Sequence, residues 1–181
     1  MLRVSIVVLA ALLLAGCSGD EPGDGGDGSS DAGPDRAVVE RSLAELYAGD
    51  HATARDDASG ACFAEELVDR AGIDRLRDVG IVAASGEVAE LPEFDEETAR
   101  LWVDAQFACV DYVEESTRAL AAQSKGRIDQ ETYAACLRDA LTDDELRAAV
   151  VATLSGDWEA GAVTALSKAQ ADCSAASQPA E

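Results

Sequence analysis

The hydrophobic pattern of the chain changes character twice. Val4 to Leu14 is an apolar run broken only by Ser5, and residues 18–35 hold no bulky apolar side chain. From residue 36 onward apolar positions recur every three to four residues. That last spacing is the mark of helices with one apolar stripe, because a 3.6-residue turn brings i, i+3, i+4 and i+7 to one side. No stretch of the body sustains the alternation of a half-buried strand. The predicted fold class is therefore all-α: a compact helical bundle of about seven helices, without sheet.

Caps and breakers place the elements. Asp35 caps a helix over 36–48 with Val39, Leu43, Leu46 and Tyr47 on one side. A second, over 52–71, carries Cys62, Phe63 and Leu67 and stops at Gly72, and a short third helix over 73–79 turns Leu76 inward. Residues 83–94 form the one long loop. Asp95 then caps the longest helix, over 96–123, whose Leu101, Trp102, Val103, Phe107, Val110 and Val113 point around much of its circumference. A helix apolar on several sides is expected in the middle of a bundle, so this one is predicted to be the central strut. Asp129 caps 130–141, and Thr142-Asp143-Asp144-Glu145 reads as a capping box opening 143–154, with Leu146, Val150 and Leu154 inward. After Gly156 the last helix, over 157–173, lines up Trp158, Ala162, Leu166, Ala169 and Cys173.

The N-terminal run has the layout of a secretory signal: Arg3 as the positive region, Val4 to Leu14 as the apolar region, small residues at the end. It is too short to span a bilayer core of ~30 Å, which takes about 20 residues. Leu14-Ala15-Gly16-Cys17 resembles the lipobox of bacterial lipoproteins. The resemblance implies cleavage of a signal peptide over 1–16, lipid modification of Cys17 as the mature N-terminus, and attachment of the product to the outer face of a cell membrane. Residues 17–35 would then be the lipidated cysteine followed by an acidic Gly/Asp tether with an r.m.s. reach of about 25 Å. Its aspartates (Asp24, Asp27, Asp31, Asp35) do not keep the register of a calcium loop, which needs D-x-D-x-D-G and a terminal Glu. Residues 36–181 make up the helical domain.

Charge narrows the partners. The 181 residues carry 36 acids against 14 Lys and Arg, a net −22. Such a surface repels nucleic acid and anionic lipid head groups, so the membrane is expected as a partner through the lipid anchor alone, and nucleic acid as none. Scarcity of lysine (Lys125 and Lys168 are the only two) beside abundant Ala, Arg, Asp and Gly suits a GC-rich genome. Paired cysteines in an acidic helical body behind a tether resemble helical lipoproteins of actinobacteria, a likeness that implies no activity.

Beyond Cys17 stand Cys62, Cys109, Cys136 and Cys173. Outside the cytoplasm an even set reads as two disulfides with three possible connectivities. Zinc fits poorly: no two of these cysteines form a C-x2-4-C pair, and the single histidine, His51, is not near them in sequence. A weak internal repeat favours one pairing. Cys62 is followed by Leu67 and Cys136 by Leu141 at the same spacing; each then leads to a Leu-Arg helix (Leu76-Arg77, Leu146-Arg147) and to a helix holding the next cysteine. Units over 52–123 and 130–173, each helix–short helix–helix, would pair Cys62–Cys109 and Cys136–Cys173. The competitor Cys109–Cys136 would join consecutive helices instead.

Candidate chemistry is sparse. Asp56-Asp57, Glu65-Glu66, Glu96-Glu97, Glu114-Glu115 and Asp143-Asp144 are sequence neighbours, which diverge by about 100° on a helix and so make solvated faces rather than facing dyads. No G-x-S-x-G, H-E-x-x-H, phosphate-binding loop or dinucleotide fingerprint occurs. Arg75, Arg77, Arg138 and Arg147 are expected to pair with the many acids rather than clamp an anion. Neither catalytic residues nor a metal or cofactor site are assigned. The functional expectation is a non-catalytic envelope module for binding or scaffolding. Its rivals are a carrier of a small apolar ligand, with Trp102, Phe107 and Trp158 as candidate lining residues, and, behind it, an envelope enzyme.

Overall fold

The computed structural model describes residues 35–88 and 91–178. Residues 1–34, with the expected signal peptide, Cys17 and most of the expected tether, lie outside the described residues. Eight helices are present among those described, with no strand: α1 (Arg36–Ala48), α2 (Ala54–Ala71), α3 (Ile73–Asp78), α4 (Glu96–Cys109), α5 (Tyr112–Gln123), α6 (Gln130–Ala140), α7 (Asp143–Leu154) and α8 (Gly161–Ala176).

Side-chain caps set most of the starts. The Asp35 carboxylate accepts from the Ala37 amide at 2.9 Å, that of Asp95 from Thr98 at 2.7 Å, and that of Asp129 from Thr132 at 2.9 Å. Thr142 and Glu145 form the expected capping box, and Thr53 and Asp56 form a second one at the start of α2.

Two expectations are corrected. The helix over 96–123 is not continuous: Val110 is extended (φ −139°, ψ 146°), and Asp111 caps a new helix by accepting from the Glu114 amide at 2.9 Å. An aspartate with a glutamate three positions on restarts the backbone as a cap does anywhere else. The last helix begins at Gly161 rather than 157, because Asp157–Ala160 turn before it, and Trp158 therefore stands off the apolar stripe at 65 % exposure.

The break at 110–111 divides the core. Val39, Leu43, Phe63, Leu67, Leu76, Phe94 and Trp102 belong to one cluster, built from α1–α4 and the loop before α4. Val113, Tyr133, Leu137, Leu146, Leu166 and Cys173 belong to another, built from α5–α8. The boundary thus falls inside the expected unit 52–123, whose last helix, α5, serves the second cluster. α1 lies tight against α2: a Cβ on Gly60 would sit 2.6 Å from the Ala44 carbonyl oxygen, so glycine alone permits this approach.

Cys62–Cys109 joins α2 to the last residue of α4, with Cα atoms 5.8 Å apart, and Cys136–Cys173 joins α6 to α8 at 5.6 Å. These are the pairings favoured by the repeat. The middle helices differ, since α3 is six residues and α7 twelve. α7 packs on α4 as well as α8, and this contact links the two halves.

Candidate functional site

α4 owes its position to having two apolar faces. Trp102 and Phe107 are five positions apart, about 140° around a helix, so they cannot share a core. Trp102 is 7 % exposed inside the first cluster, against Phe63 at 4.7 Å and Phe94 at 5.3 Å between ring centroids. Phe107 leans on the second cluster, stacked on Tyr112 at 5.7 Å, and the Arg147 guanidinium sits 4.5 Å above its ring. The structure does not bring the three candidate lining residues together: Trp102 is core, Phe107 is half-buried beneath Arg147, and Trp158 is exposed on the turn before α8.

Between α4 and α7 runs a groove of about 640 Å³. Phe94, Val103, Val151, Ala148 and Ala152 give it an apolar floor, and Val103 is only 1 % exposed. Charges line its edges. Arg147 pairs with Asp104 at 3.1 Å, and Arg100 with Glu96 at 2.5 Å. Both arginines are thus balanced in place, and Asp95 and Asp157 also line the groove. The Asp95 carboxyl is held below the usual aspartate range, first by the Thr98 amide and hydroxyl that it faces and then by the Arg75 charge, so it is ionised at neutral pH. None of this groove was singled out from the sequence. The available signal was the apolar circumference of α4, which marks a helix shared by two neighbours.

A second groove, of about 460 Å³, lies by Tyr47, Ser59, Gln106, Val110 and Arg118. Arg118 is committed there to Asp56 at 2.8 Å and to Glu115. Burial, followed by the Glu115 charge, raises the Tyr47 hydroxyl above its ordinary value. A third, of about 400 Å³, lies between the 126–132 segment and the end of α8, where the Asp129 amide donates to the Ser177 carbonyl at 2.8 Å. None of the three is lined by Trp102, Phe107 or Trp158.

Of the other arginine candidates, Arg77 is exposed in the last turn of α3, and two are engaged in surface pairs. Arg75 meets Glu97 at 3.0 Å and Arg138 meets Asp111 at 3.1 Å. The acid pairs Asp56-Asp57, Glu96-Glu97, Glu114-Glu115 and Asp143-Asp144 all occupy first helical turns, where the backbone dipole favours negative charge. His51 lies in the exposed turn between α1 and α2. Among the described residues no three His, Cys, Asp or Glu side chains gather as a metal-holding set, and no described helix is long and apolar enough to cross a membrane. No protein-family model, curated protein or solved structure matches the chain.

Proposed function

We propose that this protein is a non-catalytic envelope lipoprotein, an acidic binding or scaffolding module held on the outer face of a cell membrane by lipid on Cys17. The observation that carries the reading is the Leu14-Ala15-Gly16-Cys17 run, followed directly by a Gly/Asp-rich stretch without bulky apolar side chains. The body agrees with an extracytoplasmic home, since two disulfides form and persist where the surroundings are oxidising. A diacylated cysteine supplies the two chains that stable anchoring needs, where one chain binds only marginally.

The test is fractionation of cells expressing the full chain and its Cys17→Ala variant. The natural chain is expected in the membrane fraction, and the variant as an unprocessed precursor or in the soluble fraction. A variant that is processed and stays membrane-bound with unchanged mobility overturns the anchor.

A second reading is a carrier of a small apolar ligand. The apolar floor of the α4–α7 groove is the surface on which an apolar portion of a ligand would lie, in place of the Trp102–Phe107 neighbourhood.

A further inference from the structure

The two halves of the body are joined differently on the two sides of α4. Cys109 and Phe107 stand two positions apart, about 200° around the helix. Cys109 is bridged to α2, and Phe107 lies under the Arg147 guanidinium of α7, so α2 and α7 flank α4 on opposite sides. On the α7 side the joint is apolar and close. α7 packs on α4, its Val151 and Leu154 rest on the first core, and Phe107 leans on the second. On the α2 side the halves meet at α2 and α5, whose backbones hardly approach. Charged side chains span that joint. Arg55 of α2 reaches Glu114 at 2.8 Å and Glu115 at 3.4 Å in α5. Arg118 of α5 reaches Asp56 of α2 at 2.8 Å while also holding its own Glu115. The two first turns joined in this way carry four carboxylates, Asp56, Asp57, Glu114 and Glu115. Neither disulfide crosses the joint, since Cys62–Cys109 lies in one half and Cys136–Cys173 in the other. The groove of about 460 Å³ is shared across it, with Tyr47, Ser59 and Gln106 from one half and Glu115 and Arg118 from the other.

We infer that the α2–α5 joint is an electrostatic latch on a hinged body: the halves turn about the α4–α7 contact and Val110, and release of the Arg55 and Arg118 pairs opens the groove beside Tyr47, Ser59 and Gln106. Exposed ion pairs are weak one by one and yield to salt, whereas buried apolar contact does not. Of the two joints, the charged one therefore gives first. Hinges absorb motion in a few residues at element ends, and the extended Val110, between the end of α4 and the Asp111 cap of α5, is such a place. Loss of the arginines does more than remove attraction, because it leaves the carboxylates of two first turns to repel each other. The latch goes beyond the anchored-module reading and does not depend on it.

The test uses the full chain in phosphatidylcholine nanodiscs, whose lipid has no net charge, with both disulfides intact. Ketone-bearing residues replace the exposed Ala58 of α2 and Ala119 of α5 and take spin labels without involving thiols. Double electron–electron resonance then reads their separation. A second pair of labels, at the exposed Ala108 of α4 and Ala148 of α7, reads the hinge side. The natural chain should show one main α2–α5 distance. Arg118→Gln should raise the share of a longer distance about fivefold, the weight of one exposed ion pair. Adding Arg55→Gln should raise it further. The double variant leaves only the four carboxylates, so going from about 0.1 M to about 1 M salt, which cuts the screening length from about 10 Å to about 3 Å, should close it again. Loss of arginine packing alone would not respond in that way. The Ala108–Ala148 distance should hold throughout, and Arg70→Gln, whose partner Glu66 lies on its own helix, should change neither distance. An unchanged Ala58–Ala119 distance in the double variant, an opening that salt does not reverse, or equal lengthening of both label pairs would overturn the latch.

Discussion

The two halves of the body solve the same packing problem with different materials. The α1–α4 half is filled by aromatics: Tyr47 stacks on Phe63 at 4.4 Å, and Phe63 and Phe94 close on Trp102. The α5–α8 half buries only Tyr133 among its aromatics and otherwise relies on Leu, Val and Ala. In compensation it carries a polar seam, in which the Tyr133 and Ser116 hydroxyls lie 3.1 Å apart and the Gln170 amide donates to the Tyr112 hydroxyl at 3.4 Å. Burial, then the neighbouring Tyr133, raises the Tyr112 hydroxyl above its ordinary value, while Gln170 pulls it back. Each half also has one disulfide, over similar sequence separations of 47 and 37 residues. Loop-closure entropy grows only as the logarithm of loop length, so both bridges should constrain the unfolded chain by about 4 kcal/mol. Unequal consequences of removing them would therefore report the cores they brace.

The largest effect is expected at Phe63, fully buried between Tyr47 and Trp102. Phe63→Ala should cost about 3–5 kcal/mol in denaturant unfolding. Tyr133→Phe, which keeps the ring in the other half and loses only the Ser116 partner, should cost about 1 kcal/mol. Equal losses would erase the contrast between an aromatic core and a polar seam.

Next come the bridges. Replacing Cys136 and Cys173 by Ser should cost about 2–5 kcal/mol and raise amide exchange first in α5, α6 and α8. The same change at Cys62 and Cys109 should leave exchange of α2 slow, because the aromatic stack remains. Faster exchange in α2 than in α6 after the respective changes would reverse the assignment of the weaker half.

The smallest effect separates the two capping boxes. Asp56 is lowered to about 2 by the Thr53 amide and hydroxyl, and after them by Arg118; Glu145 is lowered by the Thr142 amide and hydroxyl alone. A carboxyl depressed by folding contributes stability above its unfolded value, and that contribution is lost as pH falls through the folded one. For Asp56 the window runs from about 3.8 down to about 2. Replacing Arg118 by Gln should move the NMR titration midpoint of Asp56 upward and leave that of Glu145 in place. A shift at both would show that the boxes respond to the overall charge rather than to their own partners.

Much of this fold is local in origin and was readable for that reason. Asp35, Asp95, Asp129 and Thr142 cap helices because an acceptor one residue before an apolar stripe satisfies amides within its own turn. The pairings Cys62–Cys109 and Cys136–Cys173 were favoured by the internal repeat and are those the structure shows. The restart at Asp111 was also encoded, as an aspartate with Glu114 three positions on, but the apolar residues on both sides of it masked the signal. The likeness of Leu14-Ala15-Gly16-Cys17 to a lipobox, likewise, is a matter of sequence alone.

Other features required the packed molecule. Periodicity places Trp102 and Phe107 on one helix but cannot say that two cores will divide them, since that depends on where α7 crosses α4. Trp158 has helical spacing to Ala162 and Leu166, yet Gly156 at a positive φ turns the chain and leaves the indole in solvent. The groove between α4 and α7 is lined by both Asp95 and Asp157 and by both Val103 and Val151, residues about fifty to sixty positions apart with no local pattern linking them. A sequence specifies what each turn can satisfy by itself; which faces meet is decided only when the helices compete for the same apolar partners.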